Sequence, residues 1–280
     1  MLLLALAVGG GAQPAFVTMP PFFSDHMVLQ ASTGYDGAAP SVHGWASPGE
    51  RVAVVALGGA STTTADSAGR WNVTLSAQPA GSAGNVTVTG KSNTVVARDV
   101  LYGDVFLCSG QSNMHLLTNY ALNASAEIAS AGNYSNLRLL TVPCNAATTP
   151  QEKLPVRAGG WELATPGTVS KFSAICYLTG RQLSDSVVGR GYPIGLIWAS
   201  WGATQVEPWV SPHSLDRCPA GGNAPATPKS YNLTNAEDLC AASFLLLPPP
   251  PPPLPLPLCS AAPLLLVQLT ACHAACALTT

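Results

Sequence analysis

Charged residues are scarce in this 280-residue chain. Lysine and arginine number 12, and aspartate and glutamate number 14, so that charged residues make up 9% of the chain and the net charge is −2. About a quarter of the residues in a typical soluble domain are charged. Without a basic excess, the chain lacks the charge pattern that binds nucleic acid or an anionic membrane surface. The scarcity of charge, together with 26 Gly and 25 Pro, favours a β-rich or extracellular protein.

Metal-binding spacings are also missing. The eight cysteines are Cys108, Cys144, Cys176, Cys218, Cys240, Cys259, Cys272 and Cys276. None of them shows the paired C-x-x-C spacing of a zinc site, and the resemblance of 272–276 to a metal-binding fragment is superficial. We therefore expect no metal and no cofactor. In an oxidising compartment some of the first five cysteines could form disulfides, but the spacing does not give their connectivity.

The N-terminal segment predicts entry into the secretory pathway. Residues 1–15 have an apolar core followed by small residues, as a signal peptide has, and they are too short to span a bilayer. We expect no transmembrane anchor. Five sequons predict N-glycosylation, at Asn72, Asn85, Asn123, Asn133 and Asn232. Together these features predict a secreted glycoprotein, either extracellular or lysosomal/vacuolar.

Residues 20–100 are predicted to form a β-rich module. Short apolar and β-branched runs, such as 51–57 and 71–76, are separated by Gly, Pro and Ser turns. This spacing is typical of a small antiparallel sandwich or sheet. Trp45 and Trp71 are interpreted as core or rim aromatics of that module.

Residues 101–240 show a different pattern, in which strands alternate with helices and indicate a parallel sheet. Strands are predicted at 104–108, 137–142 and 193–201, and helices within 112–130 and 169–187. The run 193–201 is nearly continuous in apolar residues, as a parallel strand buried on both faces should be. The predicted buried helix positions are Met114, Leu117, Leu122, Phe172, Ile175, Cys176, Leu183 and Val187.

Residues 241–280 form a low-complexity tail rich in Pro and Leu. It contains six consecutive prolines, and no charged residue occurs between 244 and 280. Such a composition favours extended polyproline II, so we expect this segment to be disordered. Two explanations remain open: a ligand for a proline-binding domain, or a replaced reading frame caused by intron retention or a faulty gene model.

Two motifs stand at the ends of predicted parallel strands. Ser112 opens a helix directly after the strand at 104–108, where helix N–H groups and the helix dipole favour a nucleophile or an anion. A role for Ser112 as a helix cap alone is the alternative. Gly202 and Ala203 follow the third strand. Because ligands gather at the carboxyl ends of parallel strands, we expect Ser112 and Gly202 at one sheet edge.

The chain resembles the sialate O-acetylesterases, which are SGNH (GDSL-like) hydrolases. The resemblance rests on the blocks LYGDVFLCSGQSNM, AICYLTGRQL, YPIGLIWASWGATQVEPW and SPHSL, and it runs from about residue 27 to about 235. It implies an α/β fold in which the β-rich module precedes an incomplete three-layer α/β/α domain with a parallel sheet.

The same resemblance implies the catalytic roles. Ser112 would attack the acetyl carbonyl of an O-acetylated sugar or sialoside, and the backbone N–H groups of Ser112 and Gly202 would form the oxyanion hole. Ser109 would be structural. The expected site-edge residues are Gln111, Asn113, Thr204 and Glu207, with Trp209 as a further candidate.

The chain departs from the family pattern in three ways. The family has Gly-Gly where this chain has Gly202-Ala203, and neither the family's Asp-x-x-His block nor its Gly-Glu-Ser-Asn block occurs here. No Asp stands three positions before any of the five histidines, which are His26, His43, His115, His213 and His273. The resemblance is therefore to a C-terminally truncated member.

Three hypotheses follow from these observations. The chain is a carbohydrate O-acetylesterase that lacks its Asp and His and is inactive as it stands. Alternatively, it is a non-catalytic secreted protein that binds acetylated glycans or another partner. The third hypothesis is a non-functional truncated product that misfolds.

Overall fold

A computed structural model describes residues 16–32, 39–146, 153, 156–157, 159–204 and 209. The predicted signal peptide at 1–15 and the predicted tail at 241–280 lie outside the described residues. Residues up to Gly202 form one unit and those from Ala203 onward a second, and each is described by itself.

The described residues form ten strands and four α-helices. The strands are β1 Val28–Gln30, β2 Ser41–Trp45, β3 Arg51–Ala56, β4 Gly59–Thr64, β5 Arg70–Thr74, β6 Ala83–Thr89, β7 Thr94–Gly110, β8 Leu137–Thr141, β9 Trp161–Leu163 and β10 Ile194–Ser200. The helices are α1 Ser112–His115, α2 Ala124–Ser130, α3 Pro166–Val169 and α4 Ala174–Leu183. Short 3-10 turns occur at Thr118–Tyr120 and Ala131–Asn133, and a π turn at Ser184–Val188.

Eight of these strands form a single mixed sheet. Its order is β4-β3-β6-β7-β10-β8-β9, and β1 pairs with β7 outside this path. The strands β3, β4, β6 and the first part of β7 are antiparallel, whereas β7, β10 and β8 are parallel. The predicted α/β class with a parallel sheet is confirmed. The remaining strands, β2 and β5, form a separate antiparallel ribbon.

The strand β7 connects the antiparallel and the parallel parts of the sheet. It is 17 residues long, pairs with β6 over its first half, and pairs with β10 from Asp104 to Gly110. The predicted domain boundary after residue 100 therefore lies inside a continuous strand. The β-rich region thus shares a sheet with the α/β region, and the domain boundaries themselves stay a prediction.

Two hydrophobic clusters cover the sheet. In the first, the ribbon packs its inward residues, such as Val42 and Trp71, against Val52 and Val54 of β3. In the second, α4 contributes Tyr177 and Cys176 against Leu196 of β10. The strand β10 is buried along most of its length, as predicted for a parallel strand with both faces covered.

The region 112–130 is not one helix, contrary to prediction. The helix α1 ends after one turn because Leu116 is extended, with ψ 123°. A second helical segment starts only after Asn123, which has a left-handed φ of 59°. Leu122 lies in the break and is 97% exposed, so its predicted burial is wrong. Met114 and Leu117 are partly buried against the second hydrophobic cluster.

The predicted helix at 169–187 is shorter than expected. The helix α4 begins after Ser173, whose hydroxyl accepts a hydrogen bond from the Cys176 N–H, and its last residue is Leu183. A π turn follows and changes the helical phase. Ile175 and Val187 are 43% and 71% exposed, so their predicted burial is wrong, whereas Phe172 and Cys176 are buried as expected.

A charged cluster lies near the amino end of the parallel strands. The buried guanidinium of Arg138 in β8 donates to Asp99 Oδ2 at 2.6 Å, and His26 Nδ1 lies 2.7 Å from the same oxygen. Burial of the Asp99 carboxyl opposes its ionisation, but hydrogen bonds from Arg138 and His26 outweigh burial and lower the pKa of Asp99. This cluster ties the segment before β1 to β7 and β8.

None of the described helices is long and apolar enough to cross a membrane.

Candidate active site

The carboxyl ends of β7 and β10 bring the two sequence motifs to the same edge of the sheet. The last pair in register is Gly110 with Ser200, and the Trp201 N–H donates to the Gly110 carbonyl at 3.1 Å. Ser112 and Gly202 each lie two residues beyond that last pair. Their chain segments therefore leave the sheet side by side.

The turn before Ser112 depends on glycine. Gly110 has φ 143°, a conformation that residues with side chains rarely adopt, and it lets the chain leave β7 and enter α1 within two residues. Ser112 is the first residue of α1, and Gln111 is its N-cap. Ser112 is therefore not the cap residue itself, which was the alternative role considered for it.

The side chain of Gln111 engages both groups that Ser112 would use in catalysis. Its Oε1 accepts from the Ser112 N–H at 3.0 Å and from the Ser112 hydroxyl at 2.5 Å. One oxygen atom thus sits where the two donors converge. In a serine esterase the carbonyl oxygen of the substrate accepts from such a backbone N–H, whereas the hydroxyl gives its proton to a base and attacks the carbonyl carbon. A substrate would have to displace the Gln111 amide to reach the same place.

His115 joins the nucleophile helix to the end of β10. Its Nδ1 lies 3.0 Å from the Ser200 carbonyl and 3.3 Å from the Ser200 hydroxyl, and its ring packs on Trp198 at 5.3 Å. Because a carbonyl oxygen only accepts, the shorter contact places the imidazole proton on Nδ1. The Nε2 atom then carries the lone pair, and no described residue hydrogen-bonds to it.

Ser200 connects three strand ends. Its carbonyl also accepts from Cys144 Sγ at 3.6 Å, and its hydroxyl accepts from Trp198 Nε1 at 2.6 Å. Cys144 lies shortly after β8, so the segments that follow β7 and β8 both contact the last residue of β10. Sequence reasoning did not single out Ser200, Trp198 or Cys144. The position of His115 three residues after Ser112, on the same helix, was the available signal.

The nucleophile segment is also fixed to α4. A disulfide joins Cys108 of β7 to Cys176 of α4. The Ala174 N–H donates to the Leu116 carbonyl at 2.8 Å, and the Thr118 N–H donates to the Phe172 carbonyl at 2.9 Å. Contacts on both sides of α1 therefore hold the segment that carries Ser112 in place.

No described residue supplies a base to Ser112. Among the described residues, Gln111 is the hydrogen-bond partner of its hydroxyl, and an amide oxygen does not remove a proton at neutral pH. The described part of the chain also holds no cluster of three or more His, Cys, Asp or Glu that could bind a metal. The geometry supplies a nucleophile and a candidate oxyanion donor without the rest of a triad.

The second motif is strained at Ala203, where the resemblance described above implies a glycine. Ala203 has φ 60°, in the left-handed region that costs a residue with a Cβ roughly 1–2 kcal/mol. A glycine would adopt the same conformation without that cost. The left-handed φ explains why Gly-Gly suits this turn better than Gly202-Ala203.

Each of the other predicted site residues is either exposed, hydrogen-bonded to another side chain or outside the described residues. Asn113 is exposed on α1, and the Thr204 hydroxyl accepts from Trp209 Nε1 at 2.9 Å. Glu207, the sequon at Asn232, and His213 and His273 lie outside the described residues. The four other sequon asparagines are exposed, namely Asn72, Asn85, Asn123 and Asn133.

Comparison with known proteins finds sialate O-acetylesterases as relatives of this chain. A sialate O-acetylesterase from Pongo abelii is 33% identical over 221 residues, which are 73% of this chain and 41% of the relative. One from Rattus norvegicus is 33% identical over 237 residues, which are 78% of this chain and 42% of the relative. The chain therefore spans about two fifths of the length of the curated relatives it matches.

A solved structure agrees with these relatives. The crystal structure of a carbohydrate acetylesterase from Xanthomonas citri superposes with a TM-score of 0.65 and 34% identity, covering 72% of this chain and 44% of that chain. No family model matches the sequence.

Proposed function

Since this chain is a homologue of the sialate O-acetylesterases over about 70% of its own length, we propose that it carries the nucleophile half of a carbohydrate O-acetylesterase. The observation that carries this proposal is that β7 and β10 end side by side, so that Ser112 and Gly202 follow adjacent parallel strand ends and the Ser112 N–H points to an acceptor oxygen. The substrate class that we propose is an O-acetylated sugar or sialoside, by analogy with the relatives.

In the proposed reaction, Ser112 Oγ attacks the acetyl carbonyl and its proton passes to a base. The new oxyanion replaces Gln111 Oε1 as the acceptor of the Ser112 N–H, and the Gly202 N–H is its second donor. Such a donor typically contributes about 3–4 kcal/mol to lowering the barrier. When the intermediate collapses, the sugar leaves as its alcohol with the proton from the base, and water then hydrolyses the acetyl ester of Ser112 to acetate. The contacts of His115 with Ser200 hold the Ser112 segment beside the segment that carries Gly202.

The 280-residue chain is expected to be inactive by itself. It has no Asp-x-x-His block, and its sole described histidine on the nucleophile helix, His115, uses Nδ1 to contact Ser200. Without a base, the Ser112 hydroxyl stays protonated near neutral pH. Loss of a triad member typically lowers the rate by about 10⁴ or more.

The test compares the 280-residue chain with a version extended by the C-terminal half of a relative. Acetate release is measured from an O-acetylated sialoside and from an aryl acetate. We expect turnover by the extended version alone, its loss in Ser112→Ala, and its retention in the matched control Ser109→Ala. Robust turnover by the 280-residue chain that depends on Ser112 would contradict the proposal of inactivity and make His115 the first candidate base.

We further propose that the chain passes through the secretory pathway, to an extracellular or lysosomal/vacuolar destination. The disulfide between Cys108 and Cys176 and the exposure of four sequon asparagines support this location, because disulfides persist in oxidising compartments.

The alternative function is glycan binding without catalysis. It predicts a soluble chain that binds acetylated glycans and releases no acetate. A pocket on the β-rich region supports this alternative.

A further inference from the structure

A pocket of about 390 Å³ lies on the ribbon formed by β2 and β5. Its volume falls within the range of roughly 300–1,000 Å³ that small-molecule sites occupy. The side chains around it come from the two strands and from the turn before β5: His43, Trp45, Asp66, Arg70 and Asn72. None of them belongs to the candidate site at Ser112.

Strand alternation places an aromatic ring and polar groups together on the outer face of the ribbon. Val42 and Val73 are buried in the core, so their strand neighbours point outward. In the antiparallel register, Trp45 is opposite Arg70 and diagonal to Asn72. Diagonal cross-strand neighbours, about 7–8 Å apart, are within reach of aromatic side chains. The Trp45 ring can therefore contact a group that is held at Asn72.

The Trp45 ring already attracts a positive charge. The ammonium of Lys153 lies 4.8 Å from its ring centroid. The negative face of an indole that attracts a cation also attracts the weakly positive C–H bonds of a pyranose ring. With Lys153 on the ring and Asp66 and Arg70 in the lining, the surroundings of the ring carry one net positive charge, which favours a sugar that carries a carboxylate.

Asp66 supplies an oriented acceptor at the pocket. Its Oδ1 accepts from the N–H groups of Ala68 and Arg70, both at 2.8 Å. These two bonds fix the direction of the carboxylate on the exposed turn. This oriented carboxylate, together with the guanidinium of Arg70 and the amide of Asn72 in the same lining, is complementary to the hydroxyl groups of a sugar.

Besides a free glycan, an N-glycan attached to Asn72 would be a source of a sugar at the pocket. Asn72 is exposed, lines the pocket, and is the first residue of the sequon Asn72-Val73-Thr74. A glycan attached to it would begin inside the pocket. We propose that the pocket holds a pyranose ring against Trp45, supplied either by the N-glycan on Asn72 or by a free glycan. This site is separate from the esterase chemistry proposed for Ser112.

The binding test uses the full 280-residue chain with Thr74→Ala, which removes the glycosylation acceptor and leaves Asn72 in place. Saturation-transfer NMR measures binding of methyl α-N-acetylneuraminide and of N,N′-diacetylchitobiose. We expect transfer to at least one of them. Adding Trp45→Ala should weaken that binding about three- to tenfold, whereas Trp45→Phe keeps the aromatic platform and the binding. Tyr120→Ala removes an exposed aromatic elsewhere and should change nothing.

A second comparison identifies the source of the sugar. If the N-glycan fills the pocket, the glycosylated parent should bind free sugar at least about tenfold more weakly than the Thr74→Ala chain, because a tethered sugar competes at high effective concentration. Equal binding by both chains assigns the pocket to a free glycan. Absence of binding to both sugars by the Thr74→Ala chain, or undiminished binding after Trp45→Ala and after Arg70→Gln, would overturn the proposal. Ser112→Ala should leave sugar binding unchanged. The binding assay therefore tests the pocket independently of the acetate-release assay that tests the esterase proposal.

Discussion

Reduction of the disulfide between Cys108 and Cys176 should lower the free energy of unfolding substantially. The bond joins residues 68 positions apart. For a loop of this length the chain-entropy relation gives about 15 cal/mol/K, or about 4.4 kcal/mol at 25 °C. That value is an upper limit, because residual structure in the denatured chain reduces the entropy that the bond removes. We expect a loss of about 2–4 kcal/mol, in the usual range for disulfides.

The assay is urea unfolding of the 280-residue chain, followed by tryptophan fluorescence with and without dithiothreitol. Comparison of the same sequence in two redox states avoids the cavity that a substitution at Cys176, which is 1% exposed, would create. The double variant Cys108→Ala, Cys176→Ala should show no dependence on the reductant. The matched control Cys144→Ser, which leaves the disulfide intact, should keep the full dependence.

One result would refute this reasoning. If unfolding is unchanged by dithiothreitol, and alkylation of the denatured, non-reduced chain labels both Cys108 and Cys176, the two residues are thiols in the folded protein. The segment that carries Ser112 would then be held to α4 by backbone hydrogen bonds and packing alone.

Three further predictions concern charge, backbone strain and processing. Asp99→Asn removes the carboxylate beside Arg138 and should cost about 2 kcal/mol, less than the roughly 3–5 kcal/mol for a fully buried pair, because the Asp99 side chain is 45% exposed. Since the pKa of Asp99 is lowered in the folded chain, its contribution should be complete above the unfolded pKa of about 3.9 and lost as pH falls through the folded pKa; parallel pH curves of parent and variant would contradict this. Ala203→Gly should relieve roughly 1 kcal/mol of strain at φ 60°, measured by urea unfolding against Ala203→Val, which should change stability in the opposite direction. Expression in secretory cells should give a mobility shift that a deglycosylating enzyme reverses, and an intact N-terminus without glycan would refute the predicted compartment.

Strands were easier to predict than helices in this chain. The alternation in Arg51–Ala56 and the apolar run at Ile194–Ser200 reflect burial directly, so both appeared as strands. The region after Ser112 has apolar residues at helical spacing, yet Leu116 and Asn123 adopt non-helical backbone conformations, so that α1 ends before Leu116 and α2 begins only after Asn123. Contacts with the residues around α4 compensate for that break, and a local pattern cannot report them.

The candidate site was predictable only in part. The rule that ligands gather at the carboxyl ends of parallel strands places Ser112 and Gly202 at one edge without any structure. The hydrogen bonds that link His115 and Cys144 to Ser200 join residues 85 and 56 positions apart. No spacing within a motif reveals such pairs. The engagement of Ser112 by Gln111 also depends on a side-chain conformation that only the structure shows.

The continuity of β7 has a consequence for how the protein unfolds. A strand that is hydrogen-bonded to β6 at one end and to β10 at the other cannot separate the two regions without breaking its own backbone pairing. Melting of either region exposes the edge of the other, so the residues up to Gly202 should unfold cooperatively rather than in two steps. A sugar bound on the β2–β5 ribbon would then slow hydrogen exchange along the parallel strands as well. The stability of the nucleophile segment would in this way depend on a ligand that never touches it.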